Sequence, residues 1–158
     1  MFNHDGSLAA TGSLKEGSRV AGQLRLVSPA SGAVVREVEH SAGVRAVAFN
    51  HDGSLVATGS MDKKLRFVEA ASGAAVRQVE HGDWVFAVMF NHDGSLAATG
   101  SLKEGSRVAG QLRLVSPASG AVVREVEHSA GVRAVAFNHD GSLVATGSMD
   151  KKLRFVEA

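Results

Sequence analysis

The sequence contains no cysteine, which excludes disulfides, thiolate metal sites, iron–sulfur clusters and cysteine nucleophiles and leaves packing to hold the fold. Proline is scarce, two in 158 residues against 18 glycines, so the chain turns often and does so through glycine. An excess of charge of one sign is also missing. Lys+Arg total 17 and Asp+Glu 16, a formal +1, too weak a field to draw nucleic acid, an anionic membrane or an acidic substrate. No apolar run approaches the roughly 18 residues of a membrane helix. The first ten residues, MFNHDGSLAA, lack the basic segment and long apolar stretch of a secretory signal. These absences predict a soluble chain, cytoplasmic if natural, that binds neither nucleic acid nor membrane.

What is present is repetition. Residues 2–70 and 90–158 are identical at every position, an offset of 88 residues, and a single segment, 71–89, separates the two copies. A shorter period lies inside the long one: Phe-Asn-His-Asp-Gly-Ser-Leu begins at Phe2, Phe49, Phe90 and Phe137, spaced by 47, 41 and 47 residues. Long and short units alternate because the segment after Thr-Gly-Ser is longer in one (residues 14–22) than in the other (residues 61–64).

Each complete unit carries four strand signals punctuated by turns, and none has the spacing of a helix longer than a turn or two. In the unit from Val44, the apolar run Val44–Phe49 (strand a) ends at Asn50-His51-Asp52-Gly53, whose Asp and Gly supply turn chemistry. Strand b is Leu55–Ser60, a tight turn at Met61-Asp62-Lys63 follows, and strand c is Lys64–Glu69. Strand d, residues 74–80, is the most charged, as an exposed edge that must avoid pairing with strangers should be. Four short antiparallel strands per unit of 41 or 47 residues predict an all-β propeller, with strand a innermost. The predicted divisions are a partial long blade 2–39, a short blade 40–80, a long blade 81–127 and a partial short blade 128–158.

Read through His40, Val44, Val47, Phe49, Asp52-Gly53, Leu55, Ala57, Gly59-Ser60, Asp62 and Leu65-Arg66-Phe67, the chain resembles the WD40 repeat family over essentially its whole length. It departs from that pattern where the naming Trp-Asp becomes Val68-Glu69 and Val156-Glu157, or Val27-Ser28 and Val115-Ser116, and where Gly-His becomes Glu39-His40, Glu80-His81 and Glu127-His128. The resemblance implies a structural hydrogen-bond network of His, Ser or Thr, Asp and Trp. Short units retain His40 with Asp62 and Thr58 or Ser60, and His128 with Asp150 and Thr146 or Ser148, but no Trp. Long units keep His81 without the Asp turn. A truncated network is therefore expected in short blades and none in long ones.

Phe2 ends a strand a and Ala158 follows a strand c, so the four units should hold three, four, four and three strands, about 3.5 to 4 blades per chain. Blades bury their faces only against neighbours, and the expectation is a homo-oligomer, a ring closed by two or more identical chains, the alternation of long and short blades favouring a dimer.

His4, His51, His92 and His139 recur in every a–b turn and read as solvated turn residues rather than metal ligands. No nucleophile elbow and no phosphate-loop spacing occurs, and identical blades offer copies rather than residues in different roles, so no catalytic residue, metal or cofactor is expected. Residues 14–22 and their copy 102–110 read as protruding hairpins with solvated Lys15, Glu16 and Arg19. The resemblance implies protein or peptide binding on the face of the d–a and b–c loops. By position this picks out Ser41, Ala42 and Arg45, their copies Ser129, Ala130 and Arg133, and Gly82, Asp83, Trp84 and Phe86 of the long blade. Trp84 is the lone tryptophan, Trp84 and Phe86 form an aromatic pair of the kind that anchors interfaces, and Arg45 with Arg133 could hold an anion. Exact identity over 69 residues is more than folding requires and points to engineering or recent duplication, hence to a self-assembling scaffold. The alternative is a natural interaction module binding a partner.

Overall fold

The computed structural model describes residues 1–14, 21–103 and 109–158; the hairpin expected to carry Lys15, Glu16 and Arg19 falls on residues outside those described. The described chain is all β, fourteen strands in four antiparallel sheets. The first sheet holds β1 (Ala9–Leu14), β2 (Gly22–Val27) and β3 (Val34–His40). The second holds β4 (Val44–Phe49), β5 (Leu55–Ser60), β6 (Lys64–Glu69) and β7 (Ala75–Glu80), and the third β8 (Trp84–Phe90), β9 (Ala97–Leu102), β10 (Gly110–Val115) and β11 (Val122–His128). The fourth holds β12 (Val132–Phe137), β13 (Leu143–Ser148) and β14 (Leu153–Glu157). Strands pair in chain order within each sheet, and the whole is an open β-propeller whose first and last blades are three-stranded.

The repeated turn makes the repeated blade. In Asn50-His51-Asp52-Gly53, the Asn50 side-chain oxygen accepts the Leu55 amide at 2.9 Å and Asp52 accepts the Ser54 amide at 2.8 Å. Gly53 takes φ +74°, which L side chains adopt at a cost. The same bonds recur at Asn3, Asn91 and Asn138. Serine hydrogen bonds hold the Asp5, Asp52, Asp93 and Asp140 carboxyls below their ordinary range.

The core is divided into layers between sheets. Leu24 and Leu26 of the first sheet meet Phe49, Val56 and Val68 of the second. Leu65 and Phe67 of the second meet Phe90, Ala97 and Val115 of the third. Leu112 and Leu114 of the third meet Val132, Val135 and Val144 of the fourth. Close approach depends on a glycine in strand b of the first three sheets. A Cβ on Gly12, Gly59 or Gly100 would come within 2.5 to 2.8 Å of Cγ1 of Val44, Val85 or Val132 in the following sheet. Arginines on the outer strands add clamps: Arg36 donates to the Ala71 carbonyl, Arg77 to that of Ala118, and Arg124 to that of Glu157.

The end sheets break the pattern. β9 is buried along its length, whereas β1, with the same sequence, is exposed from Thr11 to Leu14. Leu65 and Phe67 have no exposed surface, whereas the identical Leu153 and Phe155 are 64% and 68% exposed.

Candidate functional site

Two constellations emerge, one buried and one at the start of the inner strands. In the first, the His40 Nε2 lies 2.9 Å from the Thr58 hydroxyl, His81 Nε2 2.8 Å from that of Thr99, and His128 Nε2 2.9 Å from that of Thr146. Each Nδ1 faces its own chain's carbonyl two residues back, at Val38, Val79 or Val126. A carbonyl only accepts, so the Nδ1 facing it carries a proton; with Nε2 bare, the Thr58 and Thr146 hydroxyls donate to it, while the Thr99 hydroxyl is shared between His81 Nε2 and the Arg113 carbonyl at 3.4 Å. Burial, reinforced by the guanidinium of Arg66, pushes the His40 imidazole down. Burial with Arg113 pushes His81 down to about 4. Because His40 ends β3 and Thr58 lies on β5, each pair ties one sheet to the next.

The geometry differs from the expected network in two ways. First, the aspartates do not hydrogen-bond to the histidines. Asp62 pairs with Arg66 Nη1 at 2.8 Å and Asp150 with Arg154 Nη2 at 2.7 Å, and the Arg154 bond holds the Asp150 carboxyl well below its ordinary range. Ser60 and Ser148 instead donate to backbone carbonyls, both bonding that of the alanine after the His-Ser pair, Ala42 and Ala130. Second, the long blade does have a network. His81 and Thr99 form the closest of the three clamps, and Arg113 takes Glu125 of the outer strand at 3.1 Å in place of an aspartate. His81, just after the end of β7, and Thr99, on β9, both lie outside residues 102–110.

The second constellation collects Arg45, Trp84, Phe86 and Arg133. The Arg133 guanidinium lies 4.2 Å from the Phe86 ring centroid and that of Arg45 5.9 Å, while Trp84 meets Phe86 edge-on at 6.2 Å. The cause is a bulge at the start of every complete inner strand. Val44 pairs with Ser60 and Ala46 with Gly59, which leaves Arg45 as the extra residue; Phe86 and Arg133 are extra in the same way. A bulge re-aims its side chain, and three successive bulges bring two cations and an aromatic ring together from three sheets. Arg45 and Arg133 are exposed and Trp84 and Phe86 half-buried, an accessible amphipathic surface. Ser41 donates to Asp62 at 3.3 Å and Ser129 to Asp150 at 3.0 Å, fixing the loops beside it.

Next to this surface a cleft of about 280 Å³ lies between β1 and β4, lined by Met1, Ala10, Thr11, Gly12, Arg45, Ala46 and Val47. Met1 and Phe2 pair with Ala10 and Ala9 at one end of β1, in the register Met89 and Phe90 keep with Ala98 and Ala97. The turn histidines form a column that sequence reasoning missed: ring centroids of His4, His51, His92 and His139 are separated by 4.6, 4.3 and 5.5 Å. Among the described residues no three His, Cys, Asp or Glu side chains are arranged to hold a metal ion. No described helix is long and apolar enough to cross a membrane.

Comparison with known proteins gives a match to the family model "WD domain, G-beta repeat" at residues 32–68, 74–105 and 120–156. Among curated proteins no sequence match is found. A solved chain of "Crystal Structure of Mitotic Checkpoint Complex" superposes with a TM-score of 0.82 at 21% identity, over 100% of this chain and 46% of that one. The present chain thus spans about half the length of that structural neighbour.

Proposed function

The chain belongs to the WD40 family of WD-domain, G-beta repeats, and from that premise we propose that it is a non-catalytic protein-interaction scaffold that works by self-assembly, identical chains closing a propeller ring. Two chains make the smallest such ring, and the exact internal duplication reflects design or recent duplication. The observation carrying this reading is that one strand sequence has two environments. Ala97–Leu102 is buried throughout in the third sheet, while Ala9–Leu14 leaves Thr11 to Leu14 exposed in the first. Solvent on surface built to be packed is the condition a further chain relieves, and Leu153 and Phe155 add exposed apolar surface where the identical Leu65 and Phe67 have none. Catalysis has no support, since the buried His-Thr pairs are three copies of one structural clamp rather than groups in different roles.

Association of folded chains makes the melting midpoint depend on protein concentration. The midpoint should rise steadily over a hundredfold concentration range; an unchanged midpoint contradicts self-assembly.

A second reading is favoured by the Arg45, Trp84, Phe86 and Arg133 cluster: a protein or peptide partner docks where the bulged residues converge. Stacked guanidiniums beside aromatic rings suit an acidic, aromatic-containing peptide. Titrating such a peptide should change the fluorescence of the lone Trp84, and Phe86→Ala should abolish the change; a response untouched by that substitution rejects this face.

A further inference from the structure

Building on that self-assembly, we propose that copies dock head to tail, the fourth sheet of one chain on the first sheet of the next, by repeating the interface already present between the second and third sheets. In that internal interface Ala48, Ala57, Leu65 and Phe67 pack against Val88, Phe90, Ala97 and Val115, with the Phe67 and Phe90 rings 5.8 Å apart. The 88-residue offset carries the first set onto Ala136, Ala145, Leu153 and Phe155 of the fourth sheet. The reverse offset carries Phe90, Ala97 and Val115 onto Phe2, Ala9 and Val27 of the first.

Apart from Val79 and Val88, the two end surfaces are therefore residue-for-residue copies of two surfaces that already fit each other. Their exposure marks them as unpartnered: Leu153 is 64%, Phe155 68% and Phe2 63% exposed, against 0% for Leu65 and Phe67 and 7% for Phe90. A second copy continues an established interface and introduces no side chain that the internal one has not accommodated. Val79 and Val88 have no counterpart in the 158 residues, so the joint is thinner by two valines than its template. Contact between like faces, Phe155 against Phe155 or Phe2 against Phe2, has no template anywhere in the molecule. The central pair of the joint is Phe155 on Phe2, reproducing Phe67 on Phe90.

The test uses two full-length variants, Phe155→Asp, which blocks the fourth-sheet surface, and Phe2→Asp, which blocks the first. Both residues are exposed in the single chain, so the fold should survive, and circular dichroism checks this; Leu153→Lys and Phe2→Ser replace any variant that does not fold. By sedimentation each variant alone should associate at least roughly thirtyfold more weakly than the parent. Mixed, the two should form a one-to-one pair, because each retains the surface the other has lost. Persistent association of either variant alone shows a like-face contact and overturns the head-to-tail arrangement while leaving self-assembly intact. A mixture that stays monomeric overturns it too. A parent chain that never associates overturns both this inference and the self-assembly it rests on.

Discussion

Gly59 and Gly147 sit in the same strand sequence, Leu-Val-Ala-Thr-Gly-Ser, at identical places in the second and fourth sheets. A Cβ on Gly59 would lie 2.7 Å from Cγ1 and 3.1 Å from the carbonyl oxygen of Val85 in the next sheet. A Cβ on Gly147 would meet nothing nearer than the Cβ of Ala134 at 3.5 Å, an ordinary contact. Alanine at either position gains the same ~0.4–1 kcal/mol from a less flexible unfolded chain. Flanking sequence is identical, so strand propensity cancels as well. What remains is overpacking at Gly59, about 1–3 kcal/mol. Gly59→Ala should therefore destabilise and Gly147→Ala should stabilise slightly. With a urea dependence of ~1–3 kcal/mol per molar for small proteins, the two midpoints should differ by about 1 M at one protein concentration. Coincident midpoints would refute the claim that glycine sets the distance between blades.

Further outcomes follow from the buried network. From pH 6.5 down, an unfolded chain protonates its histidine while folded His81 stays neutral to about 4, so stability falls as pH drops through that window. The fall is roughly 3 kcal/mol from His81, with His40 adding in the same direction; an unfolding free energy flat between these pH values contradicts the assignment. Thr99→Val strands the His81 Nε2 and should cost about 1–3 kcal/mol. Thr11→Val, in the same local sequence but exposed in the single chain, should change the stability of the dissociated chain by under about 0.5 kcal/mol. Asp62→Asn breaks a pair whose side chains are 11% and 4% exposed and should cost about 3 kcal/mol, and Asp150→Asn less because Arg154 is 29% exposed, both read from denaturant midpoints. Lys63 holds φ 68°, so Lys63→Gly should be neutral or stabilising by up to about 1 kcal/mol in the same assay.

Strands and turns were legible because Asn-His-Asp-Gly recurs and its hydrogen bonds are local: every bond that shapes the turn links residues two to five apart. The clamp in the long blade was not legible, because His81 and Thr99 are 18 residues apart and meet only through the packing of one sheet on the next. The convergence of Arg45, Phe86 and Arg133 depends on bulges, which are products of strand register rather than of composition. The histidine column likewise depends on how successive blades are placed. Exposure at the end sheets lies beyond any local signal, since Leu65 and Leu153 have the same neighbours in sequence and opposite environments.

The central claim, that surfaces bare in one chain are covered by another copy of it, is tested most directly by the mass of the intact protein under native conditions. Native mass spectrometry at micromolar concentration should give a closed species at a whole multiple of 16.4 kDa, twice that value for the smallest ring. A spectrum containing only the 16.4 kDa chain would contradict the account.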